Sequence, residues 1–230
     1  MIINHTHKFI FVKTQKTAGT SLEIALSEYC GEQDIITPIS MEDEKHRMEL
    51  GFPGPRNYKM KRKLDSSSFF GKKFEEVEFY NHMSCLEIKE MIGAEVYDSY
   101  YKFCFERNPY DKLISLYFHQ GGNEVYDSIE DFILKGGLKI IKGFDQYTID
   151  KVIAVDHIFK FEELGEALHT LTEKLDLPKK LSMPPKKTKS RFRKDKRHHS
   201  EVLSQKEKEL VDVVWAREKQ LMNYSFLKIS

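Results

Sequence analysis

Residues 9–26, FIFVKTQKTAGTSLEIAL, place a short apolar run, a loop of small and hydroxylic residues and a helix-forming segment in immediate succession. Residues 8–12 hold a short apolar run, Phe9 to Val12, between polar flanks, which suits a strand covered on both faces, as in a parallel sheet. From residue 20 to residue 30, Leu22, Ile24, Ala25 and Leu26 recur at helical spacing, and Gly31 stands where a C-terminal cap would. A loop between such a strand and such a helix turns several backbone N–H groups toward one point, and the helix dipole adds to their pull on an anion. The small Ala18 and Gly19 would let a ligand approach the backbone closely. Thr17, Thr20 and Ser21 add hydroxyls, and Lys16 adds a charge.

The same grammar returns downstream. VEFYNH predicts a strand over residues 77–80, followed by a helix in SCLEIKEMIG, where Ser84 and Glu87 have capping-box spacing. Residues 100–105 form a β-prone run. Asn108 and Pro109 then open a helix that buries Leu113, Ile114, Leu116 and Tyr117 and stops at Gly121 and Gly122. SIEDFILKGG predicts a short helix, VDHIFKFEEL a strand, and GEALHTLTEKLDL an amphipathic helix. The last segment, SQKEKELVDVVWAREKQLM, has a capping box at Ser204 and Glu207 and a stripe of Leu210, Val211, Val214 and Trp215. Alternating strands and helices of this kind predict one α/β domain over residues 1–230, with a mainly parallel sheet. Two stretches break the pattern. Residues 40–73 read as a mobile insert, and residues 178–199 read as a basic loop.

Composition removes several function classes. Lys and Arg number 37 against 36 Asp and Glu, a formal charge of +1, so no global field marks a nucleic-acid binder and any basic site must be local. Cys30, Cys85 and Cys104 are an odd set without close spacing, which fits reduced core thiols better than a disulfide framework or a zinc knuckle. No run of about 18 apolar residues exists to span a membrane, and the start MIINHTHKFIFV has no cleavable apolar region, so a cytoplasmic protein is the default expectation. His198 and His199 are adjacent and lack the spaced partners a metal site needs, and no metal is expected.

The order of residues in the loop narrows its ligand. A Walker A loop reads GxxxxGK[ST], whereas here the lysine precedes the small residues. Lysine, threonine, small, small, threonine, serine closing a strand resembles the 5′-phosphosulfate loop of sulfotransferases that use 3′-phosphoadenosine 5′-phosphosulfate as donor. FERNPYDKLISLYF resembles the 3′-phosphate segment of the same superfamily, with an arginine ending a strand and a serine in the helix that follows. YNHMSCLEIKEMIG is similar to the histidine-bearing segment of the glycan-directed branch, which includes heparan 2-O-sulfotransferases, and VDHIFKFEELGEAL is similar to a later strand and helix of that branch. Gln15 stands where the family usually has proline, and Glu106 where an apolar residue or threonine is common.

The resemblance implies a three-layer, P-loop-like α/β fold. It also implies transfer of a sulfuryl group from that donor to an acceptor hydroxyl, on a saccharide, with no metal. Lys16 would offset charge on the departing nucleotide, and Thr17, Ala18, Gly19, Thr20 and Ser21 would hold the 5′ end. Arg107 and Ser115 would hold the 3′-phosphate, and His82 would act as general base. In KKTKSRFRK, Lys187, Lys189, Ser190 and Arg191 match the segment that closes over the nucleotide. Plainer roles stand beside these: a solvated Lys16, Arg107 paired with Asp111, and His82 capping a helix. The alternatives are a P-loop small-molecule kinase and a non-catalytic protein that binds a nucleotide or glycan.

Overall fold

The computed structural model describes residues 1–63, 74–185, 195 and 197–227. The chain opens with β1 (Ile2–Asn4) and β2 (Phe9–Phe11), then α1 (Gly19–Ser27), β3 (Ile35–Ile36) and α2 (Met41–Glu49). A hairpin of β4 (Lys59–Lys63) and β5 (Phe74–Glu78) precedes α3 (Cys85–Ile92), α4 (Ala94–Ser99), β6 (Tyr101–Glu106) and α5 (Pro109–His119). After α6 (Ile129–Leu134) come the short β7 (Thr148–Ile149) and β8 (Val152–Ile153), then β9 (His157–Lys160) and α7 (Leu164–Lys174). The last elements are α8 (His199–Val202), α9 (Gln205–Val214) and α10 (Ala216–Met222).

The central sheet has the order β3-β1-β2-β6-β9. β2, β6 and β9 run parallel, while β1 is antiparallel to both its neighbours. Four of the five strands therefore point one way. Side chains alternate across the pleat, which explains why the apolar runs are continuous. Phe9, Phe11, Phe103 and Phe105 face α1 and α7 through Leu22, Ala25, Leu26, Leu168 and Leu171. Ile10, Val12 and Cys104 face the other way, toward Cys85 and Ile88 of α3 and Tyr97 of α4. The protein is thus an α/β fold with a mostly parallel sheet flanked by helices. A third cluster packs α5 and α6 against α9 through Leu113, Ile114, Phe132, Val211 and Trp215.

Several expectations are met closely. Both capping boxes form, Ser84 with Glu87 and Ser204 with Glu207, and the Asn108 side chain accepts from the Tyr110 N–H at the start of α5. Cys30, Cys85 and Cys104 are buried free thiols.

Others need correction. The strand expected at residues 77–80 is β5, and it belongs to a separate two-stranded sheet with β4. Its Glu76 and Glu78 are exposed and its Val77 only half-buried, and this segment reaches the core through Phe79, just past the strand. Lys59 pairs across the hairpin with Glu78 at 3.9 Å, a contact between exposed groups. Within the described part of residues 40–73, the segment read as an insert carries α2, whose cap Ser40 accepts from the Asp43 N–H. The final helix is broken at Trp215 into α9 and α10, and Val214 is exposed rather than part of the buried stripe.

Candidate active site

Three adjacent parallel strands end beside one another, and the crevice past the carboxyl ends of such strands is where open α/β sheets bind ligands. β2 leads into the loop of residues 12–18, β6 leads into Arg107, and β9 leads into Phe161. The loop starts as a continuation of the sheet, the Val12 N–H donating to the Phe103 carbonyl at 2.9 Å. Thr14 then donates its hydroxyl to the Phe105 carbonyl and lies 2.9 Å from the Thr17 hydroxyl, which tightens the turn.

Lys16 and Ala18 both take left-handed backbone conformations, with φ of 64° and 59°. This costs a non-glycine residue about 1–2 kcal/mol, and such strain persists where surrounding structure enforces it, commonly at functional sites. Ala18 is the N-cap of α1, which starts without a side-chain cap and with no carboxylate in its first turn. The positive end of the helix dipole therefore faces the loop with no acidic side chain of that turn to offset it. Gln15, standing where a proline was usual, is a clasp instead. Its amide donates to the Ile140 carbonyl at 3.1 Å, and its carbonyl accepts from the Lys142 N–H at 2.9 Å.

The small residue at position 19 also serves the packing beneath the loop. A Cβ at Gly19 would lie 2.8 Å from Lys13 Cγ and 3.2 Å from the Thr14 carbonyl. The missing side chain makes room for the stem of Lys13 inside the protein. That lysine is buried, with Nζ 2.6 Å from Glu23 Oε2 and 2.9 Å from Asn81 Oδ1. Glu23 is fully buried on α1, and the Met1 amino group at 2.9 Å and Arg47 at 3.7 Å also face it. Burial pushes the Glu23 carboxyl up, but the charges of Lys13, Met1 and Arg47 outweigh it and hold the group at about 2.

Arg107 leans on the loop from the neighbouring strand. Its Nη1 donates to the Lys16 carbonyl at 3.4 Å, and its guanidinium lies over the Phe161 ring, 4.7 Å from the centroid. Glu106, unusual for its position in sequence, is fully buried beneath. Its carboxylate pairs with Lys112 and accepts from the Arg107 N–H at 2.9 Å and the Tyr147 hydroxyl at 3.1 Å. The strand end carrying the guanidinium is anchored from below by this ion pair. Asp111, the plainer partner considered for Arg107, has the His199 ring 3.0 Å away. Ser115 is half-buried in the second turn of α5 and enters none of these contacts.

His82 comes from the segment joining β5 to α3 and is also left-handed, with φ of 64°. Its Nδ1 lies 2.8 Å from the Lys13 carbonyl. A carbonyl only accepts, so Nδ1 carries the proton and Nε2 keeps its lone pair when the ring is neutral. Burial, followed by the charge of Lys13, pushes the imidazole down to about 4, so the ring is neutral at physiological pH. The Lys13 carbonyl also accepts from Gln146 Nε2 at 2.6 Å.

The structure therefore brings Lys16, Thr17, Ala18, Gly19, Thr20, Ser21 and Arg107 around one loop, with His82 tied to its base. Lys187, Lys189, Ser190 and Arg191 lie outside the described residues. Sequence reading missed Lys13, Glu23, Gln146 and Tyr147. Lys13 sits three residues before Lys16 with nothing local to tell them apart, Glu23 lies within α1 with nothing local to mark its partners, and Gln146 and Tyr147 are remote in sequence. Among the described residues, no group of three His, Cys, Asp or Glu side chains is disposed to hold a metal ion, and no helix is long and apolar enough to cross a membrane.

Over 102 residues the chain is 33% identical to an uncharacterized protein of Archaeoglobus fulgidus, covering 42% of this chain and 84% of that one. No solved structure matches the chain. The model of the Sulfotransferase family matches residues 1–225, nearly the whole chain. The protein belongs to the Sulfotransferase family.

Proposed function

We propose that the protein transfers the sulfuryl group of 3′-phosphoadenosine 5′-phosphosulfate to a hydroxyl of a carbohydrate acceptor, as a member of the glycan-directed branch with a P-loop-like donor site. The observation that carries this reading is the contact between Arg107 Nη1 and the Lys16 carbonyl, which sets a guanidinium beside the loop that begins α1. A donor with a sulfated phosphate at one end and a second phosphate at the other needs two anion-binding features close together. The residues fit that requirement: a helix start with no acidic residue in its first turn, hydroxyls at Thr17, Thr20 and Ser21, and a planar guanidinium suited to bidentate phosphate binding.

In this reading the loop from Thr17 to Ser21 holds the 5′ end, and Arg107 with Ser115 holds the 3′-phosphate. Lys187, Lys189, Ser190 and Arg191 are assigned to the nucleotide by sequence resemblance alone. The bound donor supplies an activated sulfuryl group that passes in line between two oxygens, so positioning and charge stabilisation dominate the catalysis. Lys16 offsets the negative charge that grows on the departing phosphate. His82 takes the acceptor proton at Nε2, the nitrogen left with a lone pair by the bond from Nδ1 to the Lys13 carbonyl. The choice of a saccharide rests on the similarity of the His82 segment and of β9–α7 to the glycan-directed branch.

The test has two stages. Adenosine 3′,5′-bisphosphate should raise the melting temperature by binding the native state, while ATP with magnesium should not. Labelled donor offered with panels of saccharides, lipids and phenols should label a saccharide, and Lys16→Ala should abolish the transfer. Stabilisation by ATP and magnesium alone would point to a kinase, and transfer retained in Lys16→Ala would refute the assigned chemistry.

A further inference from the structure

The residue that joins the donor loop to the base is Lys13, which no sequence motif marks. Both of its ends are engaged. The backbone carbonyl accepts from His82 Nδ1 at 2.8 Å and from Gln146 Nε2 at 2.6 Å, while Nζ binds Glu23 Oε2 at 2.6 Å and Asn81 Oδ1 at 2.9 Å. Asn81 is the neighbour of His82 in the chain, so the ammonium holds the side chain next to the ring that the carbonyl orients. The Lys13 stem also fills the space left by the absent Cβ of Gly19, the first residue of α1. One buried side chain therefore touches the start of the donor helix, the carboxylate on that helix and the segment bearing His82.

We propose that Lys13 is a positioning residue for sulfuryl transfer: its carbonyl selects the His82 tautomer with Nε2 open to the acceptor, and its buried ammonium, held beside that segment by Glu23 and Asn81, adds to burial in disfavouring the charged ring. This rests on the reading of His82 as general base. A like charge nearby disfavours the protonated imidazole, and the effect grows where water is excluded. Burial is the largest influence disfavouring the charged ring, and charged groups among the described residues modify it. Lys13 on the loop and the Met1 amino group disfavour its protonation, and Glu23 on α1 favours it more weakly. Arg47 on α2 faces Glu23. Glu87 on α3 is engaged by Tyr80, Ser84 and Lys142.

The arrangement makes a prediction that simple loss of structure would not. Lys13→Met removes the ammonium and keeps the carbonyl, so the His82 titration should move up by about one unit. Glu23→Gln removes the opposing charge, so the titration should stay at the wild-type value or fall. Local unfolding would send both variants up toward the ordinary histidine value. His82 is followed through its ring carbon–proton chemical shift by NMR in the donor-free protein, which needs no acceptor. If Lys13→Met does not fold, the double variant Lys13→Met/Glu23→Gln removes both charges and should raise the titration by a smaller amount. No upward shift in the folded single or double variant, or a rise in Glu23→Gln matching that of Lys13→Met, overturns the proposal. Transfer that survives in His82→Ala would instead refute the general-base reading, and the titration data for Lys13 would stand apart from it.

Discussion

Replacing Gly19 with alanine probes the packing beneath the loop between β2 and α1 through a single methyl group. Its Cβ would meet Lys13 Cγ at 2.8 Å, Thr14 O at 3.2 Å and Lys13 Cε at 3.5 Å. The first contact is shorter than carbon atoms tolerate, and Lys13 cannot swing aside cheaply because Glu23 and Asn81 hold its ammonium. Overpacking of this kind costs about 1–3 kcal/mol, while exchanging glycine for alanine in a helix returns at most about 1 kcal/mol and less at its first position. The net expectation is a loss of about 1–2 kcal/mol, which is about 2–8 °C in melting temperature for a chain of this size. Gly165 supplies the control. It lies in the first turn of α7, and an added Cβ there meets nothing within 4 Å, so Gly165→Ala should be neutral or stabilising. Thermal melts of both variants, with titration by adenosine 3′,5′-bisphosphate, read the two effects. Gly19→Ala should melt lower and bind the nucleotide more weakly, because relief of the clash moves either the loop or Lys13. Equal melting of Gly19→Ala and Gly165→Ala, with unchanged nucleotide binding, would refute the account of Lys13 packed under the loop.

Three other perturbations have defined signs. Arg107→Ala should weaken bisphosphate binding by roughly 10- to 150-fold, the worth of a charged hydrogen bond of about 1.5–3 kcal/mol, and Arg107→Lys should recover only part of it in calorimetry because the bidentate geometry is lost. Glu106→Leu leaves Lys112 buried without its carboxylate and should destabilise by about 3–5 kcal/mol in urea titration, whereas Glu106→Leu/Lys112→Met should regain most of that loss; equal losses would show that the pair anchors nothing. Glu23 titrates at about 2 in the folded protein against an ordinary 4.5. A depressed carboxylate contributes stability above pH 4.5 that disappears as the pH falls toward 2, about 3 kcal/mol in this case. Glu23→Gln should therefore flatten the acid limb of stability between those values, and an unchanged limb would contradict the assignment.

The elements that were legible in the sequence carry their signals within a few residues. Capping boxes at Ser84 and Ser204 satisfy helix N–H groups locally, and the continuous apolar runs of β2 and β6 announce burial on both faces. β5 failed because its alternation matches a strand, whereas the sheet it joins depends on what the rest of the structure offers. α2 was missed because its mostly charged sequence lacks an apolar face to read, although Ser40 caps it and Arg47 is buried against Glu23 and Glu44.

The loop between β2 and α1 divides in the same way. Lys16 and its small and hydroxylic neighbours were fixed by the order of residues along one turn, and Arg107 by its place at the end of a strand. Only the tertiary structure decided that Lys13 would be buried against Glu23 while Lys16 remains half-buried at the turn, that Gly19 serves the lysine beneath it, and that Gln15 replaces a stiff proline with two hydrogen bonds to residues 140 and 142. The reason is physical: a hydrogen-bonded turn is specified by neighbours in the chain, whereas the state of a buried charge is set by whichever partners folding brings within about 3–4 Å of it.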